Sequence, residues 1–172
     1  MNIFILSNIH HLNARYHSDI HVGKMLLEGT QLLCTALWRC NYSDILPIKF
    51  KSKLELYKPS YVNHPCNIWA TQSKSNFLWL IDHCKALSDE FTFRSCKIHK
   101  SNGVLIRIQK YKIRLKDIGL TRFALAMPEQ YKTNSAVSSY RAYYKNDKTG
   151  YWKQGKWYPA TWKNRPVPSW FN

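Results

Sequence analysis

The stretch YHSDIHVGKMLLE, residues 16–28, puts proton-carrying side chains on what otherwise reads as a buried helix. At about 100° per residue, His17, His21, Lys24 and Glu28 fall in one band about 80° wide, together with His10, Asn13, Gln31 and Thr35. Leu12, Tyr16, Ile20, Val22, Leu26, Leu27, Leu33, Leu37 and Trp38 occupy most of the remaining circumference. A polar face this narrow implies a mostly buried helix with one polar groove. Imidazole, ammonium and carboxylate groups lining a cleft are what general acid–base chemistry needs. Glu28, His17, His21 and Lys24 are therefore the candidate catalytic residues. The plainer reading is a solvated stripe, with Lys24 and Glu28 forming an i,i+4 pair that contributes roughly 0.3 kcal/mol. Asp19 lies on the apolar side. A buried carboxylate needs a partner, and Arg141 is the candidate.

A metal is the alternative use of the same groups. His17 and His21 have the i,i+4 spacing that places two imidazoles on one side of a helix, and His64 and Cys66 could complete the ligand set. No HExxH motif accompanies them, and the main expectation is chemistry without a cofactor. The five cysteines, 34, 40, 66, 84 and 96, form no CxxC pair and mostly lie in apolar stretches. They read as reduced, buried thiols of a cytoplasmic protein.

The net charge of +16 is lopsided. Residues 1–90 carry nine Lys/Arg against seven Asp/Glu, whereas residues 91–172 carry seventeen against three. A basic half of this kind meets a polyanion, nucleic acid first. It is also an aromatic half: residues 131–172 hold eleven of the 25 aromatics. Cations neutralise phosphates and flat rings stack on exposed bases. Arg141, Lys145, Tyr143, Tyr151, Lys153 and Lys156 are the nucleic-acid candidates in this stretch, and Arg107, Lys110 and Lys112 lie upstream. Trp162, Trp170 and Phe171 are expected to pin the tail to the body.

The elements that must position these residues are mainly helical. NIFIL reads as extended, and Ser7 or Asn8 can cap a first helix over about 8–39, with a kink near Gly23 or Gly29. Residues 41–65 read as a long connection. NHPC leads into a second helix, with Asn63 as cap and Pro65 in the first turn. Its apolar face is Ile68, Trp69, Phe77, Leu80, Ile81, Cys84 and Leu87. GVLIRIQKYKIRL alternates apolar and basic residues and predicts a hairpin near 103–115. A short helix ending at Pro128 and another over 135–145 follow. The expected fold is mainly α: one domain over 1–172, with a helical core half (1–90), a basic, aromatic nucleic-acid-facing half (91–172) and an irregular C-terminal tail. No apolar run reaches the roughly 18 residues of a membrane span, and the start MNIFILSNIHH lacks the features of a signal peptide.

YHSDIH–KMLLE, NHPC–IW, RFALAMPEQYK, YRAYYK and WKNRPVPSWF resemble the recurrent landmarks of a family of small uncharacterised proteins of tailed phages, across most of the chain. That resemblance implies a bacterial host cytoplasm but no activity. In layout the chain is also similar to the pyrimidine-dimer DNA glycosylases, the phage-type endonuclease V. The shared features are a short N-terminal lead, a helix carrying a glutamate near basic side chains, and an aromatic, basic tail. That resemblance implies a DNA glycosylase/lyase with Glu28 as catalytic acid and the N-terminal amine as Schiff-base nucleophile. Asn2 disfavours removal of Met1, so either Met1 supplies the amine or the chemistry differs. A histidine- or metal-dependent nuclease and a non-catalytic protein that binds nucleic acid or a host protein are the alternatives.

Overall fold

NIFIL is too apolar to leave in water, and it becomes the innermost thread of the fold. A computed structural model describes residues 1–41 and 56–171. In it Ile3, Phe4, Ile5 and Leu6 are all buried. Helices α1 (His10–Tyr16) and α2 (Asp19–Asn41) follow. Next come α3 (Pro65–Ala70), α4 (Lys74–Ser95) and α5 (Ser101–Ile108). A one-turn 3₁₀ helix (Glu129–Tyr131), α6 (Ala136–Asp147) and a hairpin of β1 (Gly150–Lys153) and β2 (Lys156–Pro159) complete the described elements. The protein is mainly helical. The expected connection over 41–65 lies in part outside the described residues.

The first helix is two. The Ser18 carbonyl accepts the amide hydrogen bonds of His21 and Val22, at 2.9 and 3.0 Å, and so starts α2. Asp19 then places a carboxylate in the first turn, where it meets the positive end of the helix dipole. His17 adopts an extended conformation at the end of α1. The chain breaks there, not at Gly23 or Gly29. Gly29 serves packing: a Cβ on it would lie 2.5 Å from the Cys84 sulfur, so the glycine lets α2 and α4 approach closely. Gly29→Ala is expected to lower stability by about 1–3 kcal/mol, because overpacking forces the helices apart. Urea unfolding of Gly29→Ala, alone and combined with Cys84→Ala, checks this: the second change should recover part of the loss.

α4 begins at Ser73, whose hydroxyl accepts from the Ser75 amide, and ends at Cys96 in the left-handed region. Phe77, Leu80, Ile81, Cys84 and Leu87 are buried along it, and its main partner is α2. Ile68, assigned to that face by periodicity, is 42% exposed on α3. The α3 cap is His64, which accepts from the Cys66 amide, and not Asn63.

The hairpin is not at 103–115. Ser101, Val104, Leu105 and Ile108 are buried on α5 while Ile106 is exposed. That burial repeats with helical spacing, and the period-2 pattern of Val104, Ile106 and Ile108 is incidental. The real hairpin is the near-palindrome YWKQGKWY. Gln154 and Gly155 both take positive φ, the two-residue turn that matches strand twist. Tyr151 pairs with Tyr158 and Trp152 with Trp157.

No α-helix forms over 117–127. Its backbone is instead satisfied by side chains. The Thr121 amide donates to Asn76 Oδ1 at 2.9 Å. The Tyr140 hydroxyl donates to the Ala124 carbonyl at 2.6 Å. The Asn2 amide nitrogen donates to the Ala126 carbonyl at 2.8 Å. These tertiary bonds override the local helix propensity of the Ala/Leu run. The tail is anchored by Trp162, buried, whose Nε1 donates to the Tyr16 carbonyl at 3.0 Å.

Asp19 pairs with Arg94 and not with Arg141. Arg94 Nη1 donates to Asp19 Oδ1 at 2.9 Å. Arg94 also donates to the carbonyls of Arg15 and His17 and to Glu90. Arg165 from the tail makes two 2.9 Å bonds to Glu90. Burial alone would raise the Glu90 carboxyl, but the bonds from Arg165 and Arg94 outweigh it and hold the group below its usual range. The tail also supplies the Thr161 hydroxyl and the Lys163 amide to Asp19. Among the described residues no helix is long and apolar enough to cross a membrane.

Candidate functional site

The buried N-terminal thread delivers its first residue to the middle of α2. The Leu6 amide donates to Asn13 Oδ1 at 2.8 Å, and Asn2 grips the Ala126 carbonyl, so the thread is held at both ends. Phe4 sits at φ 32, a strained conformation for a side chain of its size. Its ring packs edge-on against His21, Tyr140 and Tyr144. The Met1 amine ends 3.9 Å from Glu28 Oε2. The Asn2 amide donates to the same oxygen at 2.8 Å. Glu28 is 14% exposed, so the pair is screened far less than a surface ion pair would be.

Amine and carboxylate face a cavity of about 150 Å³. Lys24, one turn before Glu28, and Lys148, just past α6, put two ammonium groups on its wall. Tyr143 is the flat wall, with Lys148 Nζ 4.6 Å from its ring centre. His21 is at the floor. Its Nδ1 lies 2.7 Å from the Tyr144 hydroxyl and 3.1 Å from the Ser18 hydroxyl. Burial, with His17, Lys24 and Lys148 nearby, pushes its pKa down to about 3. At neutral pH His21 is therefore an uncharged hydrogen-bonding group, not an imidazolium.

Of the four expected catalytic residues, His21, Lys24 and Glu28 share this cavity and His17 does not. The break at Ser18 turns His17 into the core, where it has no solvent exposure. Its Nδ1 donates to the Asn13 carbonyl at 2.7 Å, and burial lowers its pKa to about 4. The alternative metal set does not converge. Among the described residues no three His, Cys, Asp or Glu side chains are placed to hold a metal ion. Cys66 is a buried thiol pushed up to about 12 by desolvation, and His64 Nδ1 is occupied by the helix cap.

The expected nucleic-acid residues are spread over several elements. Lys153 and Lys156 are exposed at the hairpin turn. Tyr151 is stacked on Tyr158. Trp152 and Trp157, which the sequence reading left unassigned, stand out at 70% and 42% exposure. β1 starts two residues after Lys148, which lines the cavity. Lys145 is exposed on α6, Arg107 is half-buried on α5, and Lys110 and Lys112 are exposed after it. Arg141 is half-buried, with Nε donating to the Leu6 carbonyl at 2.9 Å.

Asn2, Phe4 and Lys148 were missed as site residues. The signal that could have found the first two is NIFIL itself: a run so apolar at the first residues must be buried, and must carry its amine with it. No family model, no curated protein and no solved structure matches the chain.

Proposed function

We propose that the chain is a DNA glycosylase with lyase activity, using the Met1 amine as nucleophile and Glu28 as the acid–base group. The observation that carries this reading is the amine–carboxylate pair, 3.9 Å apart at the wall of a small polar cavity. The cavity lies below the usual range of sites that enclose a whole small-molecule ligand, and its size suits a sugar-sized group. The amine nitrogen attacks C1′ of the target deoxyribose. The C1′–N bond to the base breaks, and the base leaves with the electron pair and takes up a proton. Glu28, as carboxylate, stabilises the cationic sugar while water protonates the departing base; it then takes one proton from the newly bonded amine nitrogen and passes it to the ring oxygen O4′ as the ring opens. The C1′–amine adduct opens the sugar ring to a Schiff base, loss of a C2′ proton expels the 3′ phosphate, and the strand is cut. Lys24 and Lys148 hold the flanking phosphates. A bacterial host cytoplasm with DNA as partner fits the charge of the basic half.

The test is borohydride reduction of a mixture of the protein and DNA with an abasic site, followed by peptide mapping of the adduct. The adduct should map to Met1. A lyase adduct on Lys24 or Lys148 would move the nucleophile, and no adduct on any damaged or abasic substrate would remove the lyase reading.

The hairpin extends the DNA-binding surface in this reading. Two lysines flank its turn, and Trp152, 70% exposed, offers a ring on which a base can stack. Replacing Lys153 and Lys156 by Gln should weaken binding to all sequences alike. It should also flatten the slope of log affinity against log salt by about 1.4–1.8, since each of the two phosphate contacts contributes roughly 0.7–0.9. A slope unchanged within error would place the strand elsewhere.

A further inference from the structure

A second cavity, of about 570 Å³, shares no wall with the first. It opens where residues 7–9, 122–125 and the start of α6 meet. Among the described residues Arg122 and Arg141 line it, and no Asp or Glu does. Arg141 is fixed in place. Its Nε is bonded to the Leu6 carbonyl, and its guanidinium carbon lies 5.5 Å from the Tyr16 ring centre and 5.2 Å from that of Trp170. The one acid its helix position suggested as a partner, Asp19, is taken by Arg94. Neither arginine is paired with a carboxylate among the described residues.

A half-buried charge held rigid without a counter-ion costs stability, and a bound anion offsets that cost. Both arginines line the cavity, and a guanidinium group matches the oxygens of a phosphate. The rest of the wall is not suited to a bare ion. Phe123 and Leu125 give it an apolar side, and Phe123 is braced by the Trp69 and Trp79 rings at 5.2 and 4.7 Å. Thr133 and Asn134 add hydrogen-bonding groups. The volume is that of a site for a small organic ligand. We propose that this cavity binds a nucleotide, its phosphate clamped by Arg122 and Arg141 and its base or sugar lying on Phe123 and Leu125. The nucleotide can be free or part of a DNA strand. The site stands on its own geometry and does not depend on the Met1–Glu28 chemistry.

Trp170, stacked on Arg141, gives a fluorescence signal for the test. Thymidine 5′-monophosphate, thymidine and a short oligothymidylate are titrated into the full chain and into Arg122→Gln and Arg141→Lys. The monophosphate should bind saturably and thymidine at least tenfold more weakly. Arg122→Gln should weaken binding about tenfold or more, the usual loss for a charge-assisted contact. Arg141→Lys, which keeps the charge and loses the planar fork, should do the same. If the oligomer alone binds and Arg122→Gln weakens it, the phosphate comes from the strand. If the monophosphate binds too, the free nucleotide is a ligand. Binding of thymidine as tight as the monophosphate, or unchanged affinity of Arg122→Gln for every probe, overturns the proposal. Arg122 is exposed and has no partner among the described residues, so its variant folds even where an Arg141 variant does not.

Discussion

Glu28→Gln is expected to leave the fold intact and to slow strand cleavage at an abasic site by a factor of about 10²–10⁴, the usual contribution of a positioned acid–base group. Glutamine has the same shape. Its side-chain oxygen can still accept from the Asn2 amide, the 2.8 Å bond that holds the thread to α2. What it loses is the negative charge beside the Met1 amine and the ability to take a proton. Stability and activity should therefore separate: an unfolding midpoint close to the parent, with a rate that is nearly lost. Lys24→Met should behave differently, weakening DNA affinity more than the rate of the bound complex. A single-turnover assay with excess protein distinguishes the two. Cleavage by Glu28→Gln within a factor of about two of the parent would be incompatible with the proposed role.

Acidification should destabilise the protein before most of its carboxylates are protonated. His17, His21 and His83 are buried, and desolvation is the leading cause of the lowered pKa of each. His17 falls to about 4 and His21 to about 3, from 6.5. Folded, they are neutral; unfolded, they charge below about pH 6.5. The unfolded chain thus binds more protons in that window, and stability falls as pH drops from about 6.5 toward 4. Above 6.5 the contribution is fully present. At about pH 5 each such histidine costs about 2 kcal/mol, so His17 and His21 together remove about 4, a large part of a typical 5–15. Nε2 of both His17 and His83 is buried without a hydrogen-bond partner among the described residues, so neither ring has an acceptor there ready for a second proton. Urea midpoints at about pH 7.5 and 5 measure the loss. Equal midpoints would mean that the core accommodates the charged rings.

The catalytic candidates were legible in proportion to how local their arrangement is. His21, Lys24 and Glu28 are spaced along one unbroken helix, and helical spacing alone brings them to one side. His17 failed because the helix ends at Tyr16 and a new one starts at Asp19, and the serine–aspartate pair that marks this start was outweighed by the leucine periodicity. The hairpin was misplaced because alternation was weighed over turn chemistry, although a Gln-Gly pair between mirror-image strands is the stronger mark. Asp19 and Arg94 are 75 positions apart, and no periodicity predicts such a meeting. The Met1 amine entered only by resemblance of layout. That it approaches Glu28 depends on the burial of residues 2–6, a tertiary outcome.

The tail's grip on Asp19 also bears on the chain during its synthesis. The first turn of α2 receives its Thr161 and Lys163 contacts from residues made 142 and 144 positions later. Glu90, in turn, waits 75 positions for Arg165. A nascent chain on the ribosome can build α2 and α4, but it leaves Asp19 without its tail contacts and Glu90 half-compensated until the C-terminal residues emerge. The first turn of α2 thus receives its last contacts when synthesis ends, so a product truncated before residue 161 would lack these bonds to Asp19 and Glu90 and be less stable.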